Sequence, residues 1–228
     1  MRFFRVVDPL PRWMVVLTLP VSAYAAGMIW IDAANADEGL AMLLLWQMLC
    51  ASKGFARAAR LGQFDPVLVR FTRAQVACAH GIWATLPVSV LWAALAALEA
   101  VRWPGTLPAA LEPGRVAALA FTSAASWALS VPGSRLVTGS LWLVVIIAAA
   151  TTRVGLDQYS AMLSREGEPA AQVLHALALV IVCPFLMIGN HVPARLATAG
   201  ALVVCAAAAA ACGVLFVQRR QYVLEPGT

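Results

Sequence analysis

The stretch RLGQFDPVLVRFTRAQ, residues 60–75, decides how this chain is read. It sets Arg60, Arg70, Arg73, one acid, a Gly-Gln pair and an Asp-Pro pair between two apolar runs, 40–52 and 76–98. An α-helix crosses a hydrocarbon core of about 30 Å with about 20 apolar residues. Arginine and lysine collect in the loops on the cytoplasmic side of a membrane. The stretch therefore reads as a basic cytoplasmic turn between two membrane-spanning helices.

Working outward, the apolar runs are 12–31, 40–52, 76–98, 116–130, 136–152, 171–189 and 196–217. The whole chain is 62% hydrophobic and only 12% charged, about half the charge of an ordinary soluble domain. No strand-like alternation of the kind a membrane barrel needs is present. The expected fold is a single all-α integral membrane domain over residues 1–228. The start, MRFFR followed by an apolar centre and AYA, imitates a signal peptide. The apolar run continues through AAGMIW to residue 31, so an uncleaved first helix is expected.

Basic residues fix the orientation. Arg2, Arg5 and Arg12 precede or open the first run, and the next loop, DAANADEG, has three acids and no base. The loop after the second run holds Lys53, Arg57, Arg60, Arg70 and Arg73 against Asp65 alone. The N-terminus and the second and fourth loops are thus placed in the cytoplasm. Two counts of spans remain open. Six spans, with 171–195 as a re-entrant hairpin, leave eleven basic residues inside and five outside. Seven spans leave ten inside and six outside. Six is the expected arrangement, with both termini inside. Pro184 and the GNHVP segment suit a break at membrane depth.

Familiar chemistry is missing. There is no GxxxxGK[ST] phosphate loop, no HExxH and no GxSxG. No enzyme activity, cofactor, metal site or nucleic-acid partner is expected. The cysteines, Cys50, Cys78, Cys183, Cys205 and Cys212, lie in or beside apolar runs and form no CxxC; they read as small hydrophobes. His80, at the start of the third run, His175 and His191 lack metal-ligand spacing. A histidine inside a membrane is a candidate intramembrane polar site, and an interhelical hydrogen bond is the plainer reading. The run VVCAAAAAACG in the last span reads as a close-packing helix face.

The opening stretch carries the functional signal. SKGFARAAR places Lys53, Arg57 and Arg60 at helical spacing as the second helix leaves the membrane. Gly62 suits its C-cap. Asp65 as N-cap and Pro66 at the first helical position can start another, short helix. Val67, Leu68 and Phe71 give that helix an apolar side, and Arg70 and Arg73 a basic one. Headgroup attraction explains the charge. Docking of a cytoplasmic partner explains the apolar residues as well.

This loop resembles the cytoplasmic loop of ABC-2 type transporter permeases. There an Arg-rich helix end is followed by a glycine, a hydrophobe, an acid, two further hydrophobes, and then Ser or Thr beside Arg. The matching residues are Arg57, Arg60, Gly62, Phe64, Asp65, Val67, Leu68, Thr72 and Arg73. The family often has glutamate where Asp65 stands and a proline before the Ser or Thr. The resemblance implies the permease subunit of a bacterial inner-membrane transporter, in the size class of haem-exporter-like permeases. It also implies a homodimer or heterodimer of permeases in the lipid bilayer, with a separate ATPase docking on residues 54–75. A structural or assembly subunit of a larger membrane complex, and a membrane metal or haem protein using His80, His175 and His191, are the competing readings.

Overall fold

The structure is a computed structural model. It describes residues 12–32, 35–51, 70–105, 107–132 and 196–219, together with Phe55, Ala59, Phe64 and Leu68. No strand occurs among the described residues, and five α-helices carry the fold. Helix α1, Arg12–Ile31, matches the expected first span. Helix α2, Ala36–Ala51, begins four residues before the expected run. Asp37 and Glu38 occupy its first turn, where negative charge favours a helix N-terminus. Helix α3, Arg73–Arg102, overruns the expected third span at both ends. Helix α4 is Pro113–Ser130, with proline in its first turn, and α5 is Leu196–Arg219. The expected runs 136–152 and 171–189 lie outside the described residues.

Among the described residues, two helical segments are long and apolar enough to cross a bilayer, α3 and Ala199–Arg219 of α5; Val16–Ile31 of α1 is a shorter apolar helix. Both the fold class and an association with membranes rest on these.

The side-chain clusters give each helix its direction. Ala117 and Phe121 of α4 pack with Ala199 and Leu202 of α5. Further along, Trp127 and Val131 pack with Val214 and Val217. Helices α4 and α5 therefore run parallel, and theirs is the most extensive helix pairing among the described residues. Asp37 near the start of α2 meets Arg115 near the start of α4, so α2 shares that direction. Helix α3 runs the other way: Val76 and Ala77 join the Trp127 cluster, while Trp92 and Leu95 join Leu40, Ala110 and Ala118. The end of α1 meets the end of α3, since Trp103 Nε1 donates to the Ile29 carbonyl at 3.2 Å.

Tryptophans tie these helices together, because a buried indole N–H needs an acceptor. Trp46 donates to Thr18 Oγ1 at 3.0 Å, joining α2 to α1. Trp92 donates to the Ala110 carbonyl at 2.8 Å, fixing the 3-10 turn Ala109–Leu111 against α3. The same turn is held by Glu99, which is buried and accepts from the N–H groups of Ala109 (2.8 Å) and Ala110 (3.4 Å). Gly105 has φ 95°, the left-handed conformation that lets the chain turn after α3. Buried Arg115 is paired with Asp37 at 2.6 Å and Glu112 at 3.4 Å. Beside it at the same end, the Arg102 guanidinium lies 5.1 Å from the Trp30 ring centroid and 4.8 Å from that of Trp103.

Candidate functional site

The loop after α2 reaches into the bundle at the opposite end. Phe55 and Phe64 are both buried, with ring centroids 5.2 Å apart. The His80 ring stands nearly perpendicular to both, 5.1 Å from Phe55 and 6.0 Å from Phe64. Trp127 meets Phe55 edge-on at 6.5 Å. Such edge-to-face pairs suit the ring quadrupoles. Trp127 Nε1 donates to His80 Nδ1 at 3.3 Å. With Nδ1 accepting, a neutral His80 carries its proton on Nε2.

Glycines make room for this cluster. A Cβ on Gly81 of α3 would lie 3.2 Å from the Trp127 ring, and one on Gly213 of α5 only 2.6 Å. Trp127 thus fills a slot between α3 and α5, and the expected close-packing face of α5 does meet another helix there. The segment following α2 and helices α3, α4 and α5 converge on one group of rings.

The expected docking residues separate into two sets. Phe64 is 4% exposed and belongs to the interior. Leu68, Arg70, Phe71, Thr72 and Arg73 are exposed. The Leu68 N–H donates to the Phe64 carbonyl at 2.9 Å, the i to i−4 pattern of a helical turn. Thr72 caps α3: its hydroxyl accepts from the Gln75 N–H at 3.3 Å, and Gln75 Oε1 accepts from the Thr72 N–H at 2.9 Å. This capping box starts the helix at Arg73, so His80 sits two turns inside it rather than at its start. Arg57, Arg60, Gly62, Asp65 and Val67 lie outside the described residues, as do His175 and His191.

Residues the sequence reading did not single out complete the interior. Gln47 is wholly buried in α2, and Thr122 and Ser123 are buried in α4. The signal was a polar residue inside each apolar run, AMLLLWQMLC and AFTSAASWA. Among the described residues no three His, Cys, Asp or Glu side chains come together as a metal set. The ring cluster joins the segment after α2 to α3 and α4 through the Trp127–His80 hydrogen bond and edge-to-face contacts. No family model, curated protein or solved structure matches the chain.

Proposed function

We propose that this chain is the membrane-spanning permease subunit of an ABC transporter, acting as an exporter and driven by a separate ATPase that docks on residues 54–75. The observation that carries the reading is the seating of Phe64. One residue of the basic loop is buried against His80 of α3 and packs in one cluster with Trp127 of α4 and Val217 of α5. The residues after it present exposed Leu68, Arg70, Phe71 and Arg73 outward. A partner gripping that outer ridge would move three helices through Phe64. Interior packing has discrete arrangements, so such a push switches states instead of dissipating.

Helix directions support six crossings. Pro132 follows the Trp127 end of α4, whereas Leu196 opens α5 beside the start of α4. Chain that leaves one end and returns at the other makes an odd net number of crossings. One span at 136–152 with a returning hairpin at 171–195 satisfies this, and two full spans do not. In this arrangement the 64–72 end and both termini are cytoplasmic. Transport then needs a dimer of permeases, with cargo passing between subunits.

The test pairs two kinds of substitution with co-purification of an ATPase encoded beside this chain. Leu68→Asp with Phe71→Asp should abolish its capture while membrane insertion persists. Phe64→Ala should retain capture and lose transport-coupled ATP hydrolysis. Retention of the ATPase by the double variant, or no capture by the wild type, refutes the reading.

A further inference from the structure

A layer of unsatisfied hydrogen-bonding groups crosses the bundle near the end that Phe64 enters. The uncharged buried side chains with polar atoms lacking a partner among the described residues are Gln47 (Oε1 and Nε2), His80 (Nε2), Thr122 (Oγ1) and Ser123 (Oγ). They come from three helices, yet their depths coincide. Asp37 of α2 is level with Arg115 of α4, and the two helices run parallel. Ten residues on, at 1.5 Å per residue, Gln47 is level with position 125 of α4. His80 is level with Trp127, its hydrogen-bond donor. All four side chains therefore fall within the span 122–127 of α4, a layer about 8 Å thick.

Other hydroxyls in the bundle behave differently. Ser89 and Ser130 donate to carbonyls of their own helices at 3.0 and 2.6 Å, and Ser126 donates to the Thr122 carbonyl. Local back-bonding of this kind is the ordinary fate of Ser and Thr in a helix. Thr122 and Ser123 do not adopt it. A buried polar group without a partner costs on the order of 1–3 kcal/mol, and five such atoms in one layer demand a common explanation.

We propose that Gln47, His80, Thr122 and Ser123 form one hydrated hydrogen-bonding site, suited to an uncharged polar group. The set offers both donors, Gln47 Nε2 and His80 Nε2, and acceptors, Gln47 Oε1 and the two hydroxyl oxygens. No charged side chain lies among residues 43–51, 77–88, 122–130 or 203–217, the described positions flanking this depth. Among those positions an ion would find no counter-charge. Water satisfies the groups at rest, and a carbonyl, amide or hydroxyl of a permeating molecule can replace it. The site stands whether or not an ATPase binds the loop.

The experiment uses the full chain in membrane vesicles, with Cys50, Cys78, Cys183, Cys205 and Cys212 replaced by alanine. Ser123→Cys is compared with Ala118→Cys, a wholly buried apolar position on the same helix. The probe is uncharged methyl methanethiosulfonate, which reacts with a thiolate and hence with a hydrated thiol. Ser123→Cys should react at least about tenfold faster than Ala118→Cys, and adding Gln47→Leu should slow it. Equal rates overturn the proposal. A second arm needs no cysteine: Thr122→Val and Ser123→Ala should each lower the melting temperature, because each removes a satisfied bond. If both raise it, those hydroxyls are dry and unpaired, and the site does not exist.

Discussion

Gly213 shows how much a missing side chain can specify. Its ideal Cβ would stand 2.6 Å from Trp127 Cζ3. The ring cannot retreat easily, since Gly81 closes the other side and His80 holds the indole nitrogen. Gly213→Ala should therefore destabilise the protein by about 1–3 kcal/mol, as overpacking does. Thermal unfolding in detergent measures it, with Gly200→Ala as the control, because a Cβ there meets nothing within 4 Å. Adding Trp127→Phe should recover part of the loss. At this scale the sequence told little. The run CAAAAAACG announced a close contact, but the partner, Trp127, lies far away along the chain. Phe64 is a similar case. Its position in a basic loop pointed to a partner-facing residue, and only the aromatic neighbours Phe55 and His80 show that it faces inward.

The helices themselves were far more legible, because hydropathy is a local property of each run. Helix α1 matches its expected bounds, and α4 and α5 match to within three residues at each end. Where α3 departs, local polar chemistry explains it: the Thr72 and Gln75 capping box extends the start. Thr72→Ala should cost about 1 kcal/mol and speed hydrogen exchange in the first turn of α3, while Thr72→Ser should leave exchange unchanged. Near the other end, Glu99 directly follows the expected run 76–98. Its carboxylate holds two backbone N–H groups ten and eleven residues away, a pairing that no periodicity reveals. Glu99→Ala should lower stability by about 1–3 kcal/mol and expose the Ala109–Leu111 turn to proteolysis. Glu99→Gln, which keeps an acceptor, should lose less.

For the whole molecule, the alternating course of α1 to α4 and the parallel course of α5 make a prediction about sidedness. Single cysteines introduced at Pro132 and Leu196 should react with an impermeant maleimide from opposite faces of the membrane. Reaction from one face would favour seven crossings. Charge counts alone separated six from seven by a single residue's shift in balance, which is why the sequence left both open. The clusters that hold Ala117 with Ala199 and Val131 with Val217 order α4 and α5 directly.

Helix α3 is about 45 Å long at 1.5 Å per residue, half as long again as a typical hydrocarbon slab of about 30 Å. Its Arg102 end is moored by the indoles of Trp30 and Trp103, side chains that favour the headgroup zone. Leaning of the rod about that mooring is one way to take up a mismatch in thickness, and the far tip carries Thr72 and the neighbouring ridge with it. On the proposed reading, acyl-chain length would then set how proud that ridge stands from the lipid surface.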